Sequence, residues 1–116
     1  ILGDYCEKKN FYPDIIKIDV EGFQSYIIPH ALEYINEHMP IIILEFDDTK
    51  TMQKFNRTNS ELALIIMDKG YELIWGNHRI KNGNFCHLKR DYLDEINLEE
   101  NSLGLFIPSK VIDDFI

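Results

Sequence analysis

Apolar positions fall along the chain in short blocks, some with strand character and some with helical spacing. Ile15, Ile16, Ile18 and Val20 form a nearly continuous β-branched run, broken by Lys17 and closed by Asp19-Val-Glu-Gly22. Such a run predicts a strand covered on both faces, as in a parallel sheet. Before it, Asp4 to Lys9 reads as a short helix after an extended entry at Ile1-Leu2. Pro13 stops that helix, because the residue before a proline is pushed toward extended backbone. After it, Ile28, Leu32, Ile35 and Met39 recur at three- and four-residue spacing, with Ile27 and Ala31 widening the stripe. Pro29 lies inside this helical pattern. A mid-helix proline costs ~3 kcal/mol or more, so the pattern predicts a short turn and then a new helix with Pro29 near its first position.

Pro40 ends the helix, and Ile41 to Leu44 predict a second buried strand, closed by Glu45 and Phe46. The polar stretch from Asp47 to Asn56 reads as a loop. Thr58 followed by Glu61 has the spacing of a capping box. It opens a helix carrying Leu62, Leu64, Ile65 and Ile66, which Gly70 closes. Tyr71 to Trp75 predict a third strand and Leu103 to Ile107 a fourth, stopped by Pro108. The alternation implies an α/β sheet with right-handed crossovers. Gly76 to Gly83 is turn-rich, and the long stretch from Gly76 to Ser102 breaks the alternation and permits an antiparallel last strand.

Composition narrows the function classes. Of 116 residues, 45% are apolar, enough for a packed core. The net charge of −8 argues against nucleic acid and against an anionic membrane surface as partners. No apolar run approaches the ~20 residues needed to span a bilayer, and nothing in the chain argues for export, so a cytoplasmic protein is expected. Cys6 and Cys86 are too isolated for a disulfide framework or a zinc site. They are expected to be reduced thiols. His30, His38, His78 and His87 show no metal-ligand spacing and are expected to be surface or structural.

Ligands of open α/β sheets bind outside the carboxyl ends of the strands. Asp19 and Glu21 close the first strand here, and Glu45 the second, with Asp47 and Asp48 just beyond. In parallel neighbours these carboxylates converge on one rim, where Gly22 lets the backbone turn sharply. Converging acids can hold a divalent cation, supply a general base or accept hydrogen bonds from a ligand. Equally, Asp19 or Glu21 can simply cap the next helix. Lys17, costly to bury alone, is expected to pair with Glu45 or Asp19 or to reach the rim.

Taken together, Asp14-Ile-Ile-Lys-Ile-Asp-Val-Glu-Gly22, an intervening helix and Met39-Pro-Ile-Ile-Ile-Leu-Glu45 resemble the signature of FkbM-type S-adenosylmethionine-dependent methyltransferases. Ile1-Leu2-Gly3-Asp4-Tyr5 and Leu103-Gly-Leu-Phe-Ile-Pro108 resemble that family's preceding segment and closing strand. The resemblance implies the C-terminal part of a Rossmann-like class I methyltransferase sheet, with parallel strands and one antiparallel strand near the edge. It implies O-methylation of a hydroxyl on a sugar or other small natural product. In that picture Asp19 and Glu21 are catalytic, and Asp19 also contacts the cofactor. Lys17, Gly22, Gln24 and Glu45 line the side of the small-molecule acceptor, and no residue is assigned as a metal ligand.

Two positions depart from the family pattern. Gln24 stands where a second glutamate is usual, and Pro29-His30 where a glycine is common. The Gly-rich loop that cradles the cofactor is not in these 116 residues. The chain is therefore expected to be the acceptor-side half of the domain, inactive alone, with an unpaired strand edge that invites self-association. The alternatives are a Mg-dependent phosphatase or phosphotransferase built on Asp19 and Glu21, and a non-catalytic α/β interaction module.

Overall fold

A computed structural model describes residues 2–77, 81, 84–93, 97–100 and 102–114. In chain order the elements are α1 (Leu2–Lys9), β1 (Ile15–Ile18), α2 (Gln24–His38), β2 (Ile41–Glu45), α3 (Thr49–Gln53), α4 (Asn59–Met67), β3 (Tyr71–Gly76), β4 (Cys86–Leu88) and β5 (Leu103–Pro108). Short 3-10 turns follow β4 and β5. The five strands form one mixed sheet in the order β1-β2-β5-β3-β4. β1 and β2 are parallel, with Ile16 opposite Ile42 and Ile18 opposite Leu44. β5 is antiparallel to both of its neighbours, β2 and β3, so β2 and β3 run the same way with a reversed strand between them.

Both crossovers, through α2 and α4, advance in the same direction across the sheet. Right-handed connections of that kind put both helices on one face. Ile28, Ala31 and Ile35 of α2 and Leu62, Ala63 and Ile66 of α4 pack there on Ile42, Leu44, Leu73 and Phe106. The long excursion is tied to the sheet where Trp75 Nε1 donates to the Leu98 carbonyl at 2.9 Å. Tyr71 is anchored likewise, its hydroxyl donating to the Pro40 carbonyl.

Four expectations are corrected. The isoleucine run of β1 is covered on one face only: Ile18 is buried, while Ile15 is 59% exposed and Lys17 is exposed. β1 is an edge strand, and an edge with one packed face alternates inside and outside like an antiparallel strand. Pro29 does not start a helix. α2 begins five residues earlier at Gln24 and runs through it, because the apolar stripe packed on the sheet outweighs the bond Pro29 cannot give to the Ser25 carbonyl. The supposed loop after Asp47 contains α3, whose N-cap Asp48 accepts from the Thr51 N–H at 2.7 Å. α1 starts at Leu2, where an extended entry was expected. The capping box of α4 is present in its first half, with Thr58 Oγ1 accepting from the Glu61 N–H at 3.1 Å.

Candidate functional site

The parallel pairing of β1 and β2 brings their carboxyl ends side by side, and the residues that meet there are Gly22, Gln24 and Asp47. Beyond β1 the chain turns through Glu21 (φ 50°) and Gly22 (φ 96°) before α2 begins. Gly22 is required twice. Its φ is one that side chains rarely adopt, and a Cβ there would lie 2.4 Å from the Phe55 ring. The Gly22 N–H donates to Asp47 Oδ2 at 2.8 Å and is shared with Gln24 Oε1 at 2.8 Å. Gln24, 1% exposed, donates from Nε2 to the same Asp47 Oδ2 at 2.6 Å and to the Glu45 carbonyl at 3.3 Å. The main chain of Asp47 is fixed too, since Asn59 Nδ2 donates to its carbonyl at 2.7 Å.

One oxygen of Asp47 thus takes two donors, while no described residue donates to Oδ1. The carboxylate lies on an open cleft of about 410 Å3 shared with Glu21, Asp48, Thr51, Lys54 and Phe55. The N–H of Thr51 holds the Asp48 carboxyl below its ordinary range. Away from this cleft, burial pushes the Tyr34 phenol up, with neighbouring Cys6 adding to the effect. Burial alone pushes the Tyr71 phenol far up.

Of the residues singled out from sequence, Gly22 and Gln24 join Asp47, and Glu21 shares its cleft. Glu45 contributes its main-chain carbonyl. Asp19 is exposed and joins none of these bonds. Neither Asp19 nor Glu21 caps α2, whose N-cap is Phe23 without a side-chain bond. Lys17 points to solvent and makes no ion pair among the described residues, so the expected pairing with Glu45 or Asp19 is corrected. Sequence reasoning placed Asp47 on the rim but missed its central position and missed Asn59. A hydrogen-bonding glutamine two residues after the turn glycine was the available signal.

Among the described residues no group of three metal-ligating side chains comes together. The histidines are structural where seen: His30 lies against Tyr26, His38 between Tyr12 and Tyr34, and His87 Nε2 is 3.0 Å from Glu72 Oε1. His78 lies outside the described residues. Cys6 is buried and Cys86 exposed, and neither forms a disulfide. No described helix is long and apolar enough to cross a membrane.

No family model matches the chain, and no solved structure matches it significantly. A stretch of 58 residues is 43% identical to an isoamyl acetate-hydrolyzing esterase of Schizosaccharomyces pombe, covering 49% of this chain and 22% of that protein. This corrects the activity expected from the sequence. The named relative is a hydrolase, so methyl transfer to a small-molecule acceptor, with Asp19 and Glu21 as its catalytic pair, is not carried forward.

Proposed function

We propose that the chain is part of an enzyme that hydrolyses small carboxylic esters, and that it supplies a fixed orienting carboxylate, Asp47. The reaction class comes from the name of the esterase to which half the chain is similar. The role comes from one observation: Asp47 Oδ2 is pinned by Gly22 and Gln24, while Oδ1 has no donor among the described residues. A carboxylate held on one oxygen can accept on the other from an imidazole N–H or a water, fixing its orientation for attack on an ester carbonyl.

The nucleophile is assigned elsewhere. The Ser60 and Ser102 hydroxyls donate to the Leu93 carbonyl and to Asn77 Oδ1, and no serine–histidine hydrogen bond occurs among the described residues. The test is acetate release from isoamyl acetate by the native protein and by Asp47→Asn.

The architecture supports a second, separate proposal. The resemblance to the FkbM-type family implies parallel strands with one antiparallel strand near the edge; the sheet β1-β2-β5-β3-β4 has one parallel pair, with β5 reversed between β2 and β3 and β4 antiparallel to β3. We propose a Rossmann-like sheet of that kind and a distant relationship to that family, as a statement about fold alone. S-adenosylmethionine, the cofactor the resemblance implies, does not fit this chain by itself. The acidic rim suits its cationic groups, but the Gly22 N–H that could serve its carboxylate is committed to Asp47 and Gln24.

A further inference from the structure

The turn that gives Asp47 its backbone donor also holds two aromatic rings. Phe55, half-buried just after α3, lies against Gly22, where a Cβ would meet its ring at 2.4 Å. The Gly22 N–H reaches Asp47 Oδ2 at 2.8 Å. Ring and carboxylate are thus held by one backbone position, and both line the open cleft of about 410 Å3. The ring of Phe23, the residue after Gly22, extends that wall. Its centroid is 5.3 Å from that of Phe55, at an interplanar angle of 57°.

The fold does not account for Phe23. It is 57% exposed and is not part of the core. It stands at the N-cap of α2, a position that favours Ser, Thr, Asp and Asn because their side chains bond the free N–H groups of the first turn. Phe23 makes no such bond. A ring left in water costs solvation that an apolar ligand would recover by covering it. Here the exposed ring is paired with a second ring at the wall of a cleft.

The other described residues of the cleft are polar or charged: Glu21, Asp47, Asp48, Thr51 and Lys54. The hydrocarbon part of a ligand therefore has one place to lie, the Phe23–Phe55 pair. Its polar part lies toward Asp47, whose Oδ1 has no donor among the described residues. Three carboxylates against one lysine disfavour an anionic ligand.

We propose that Phe23 and Phe55 form the alcohol-side subsite of the ester site. This rests on the ester-hydrolysis reading and names its substrate class. The substrate is an uncharged ester whose alkyl group covers both rings, as a branched pentyl group does and a methyl group does not. The bond broken is the acyl C–O bond. The water oxygen joins the acyl carbon, a water proton goes to the leaving oxygen, and the alcohol departs along the two rings.

The test compares isoamyl acetate with methyl acetate, using the full enzyme to which the chain belongs, native and as Phe23→Ser. Serine suits an N-cap, so the variant is expected to fold, and its unfolding midpoint checks that. The isoamyl-to-methyl ratio of kcat/KM is expected to fall about tenfold, the equivalent of roughly two methylene groups returned to water. The loss should fall on KM for isoamyl acetate, because the rings hold ground state and transition state alike. Phe23→Leu, still apolar, should keep most of the native ratio. If the native enzyme releases acetate from neither ester, the ester-hydrolysis reading fails and the subsite fails with it. If it hydrolyses both and Phe23→Ser leaves the ratio unchanged, the subsite alone is overturned.

Discussion

Gln24 and Asp47, 23 residues apart, meet at 2.6 Å, the buried amide of one donating to the carboxylate of the other. The contact needs a donor at position 24, which an amide supplies and an ionised carboxylate does not. A carboxylate at position 24 would face Asp47 at contact distance, and two such groups cannot both ionise cheaply.

Gln24→Glu is therefore expected to lose about 1–3 kcal/mol at neutral pH, the range for a buried polar group deprived of its partner. At low pH one proton shared by the pair restores a donor. The variant's deficit should shrink as pH falls, because the pair's raised pKa stabilises the fold only while the proton is bound. Urea unfolding of both proteins across the acid range measures this. A deficit independent of pH would contradict the contact.

Gly22→Ala should cost about 1–3 kcal/mol from left-handed backbone alone, and more from the collision with Phe55. Phe55→Leu in the same chain should recover only the steric part. Thermal unfolding of the single and double variants separates the two contributions.

Tyr71 is expected to contribute to an alkaline limit of stability. Its buried phenol donates to the Pro40 carbonyl and has its pKa raised far above 10.0. A group whose folded pKa is raised stabilises the fold below its unfolded pKa, and loses that stability as pH climbs toward the folded one. Stability should therefore decline from about pH 10 upward. Tyr71→Phe should remove about 1 kcal/mol at neutral pH and flatten the alkaline limb, as read by urea midpoints against pH.

Among the described residues β1 lies at the edge of the sheet, with Lys17 between Ile16 and Ile18, and an edge lysine opposes strand addition. We expect Lys17→Val to convert the chain to oligomers on size-exclusion chromatography, with the parent eluting as a smaller species. Equal elution volumes would show that the edge is protected in another way.

Much of the scaffold was legible because isoleucine runs and capping residues act locally. Ile41 to Leu44 and Tyr71 to Trp75 form strands where expected, and Thr58 caps α4 at the spacing read from Glu61. What escaped depends on neighbours distant in sequence. Lys17 and Ile15 are exposed because α2 packs on the opposite face of β1, the face of Ile16 and Ile18, a fact about tertiary packing that no window of sequence contains. Pro29 is tolerated because Ile28 and Ile35 on either side of it anchor α2 to the sheet. α3 buries only Met52, too little periodicity to announce a helix. The candidate site was half legible. The rim was expected from the strand ends, but the choice of Asp47 over Asp19 is made by a turn that aims the Gly22 N–H across to β2.

The central claim is that Asp47 orients a partner for ester hydrolysis. The most direct measurement is the rate of acetate release from isoamyl acetate by the native protein and by Asp47→Asn. Asn keeps the shape and loses the charge. The account predicts hydrolysis by the full enzyme to which the chain belongs, with kcat falling by about 10⁴-fold in Asp47→Asn and KM and the unfolding midpoint little changed. No hydrolysis by the native protein, or equal kcat in the two proteins, would contradict it.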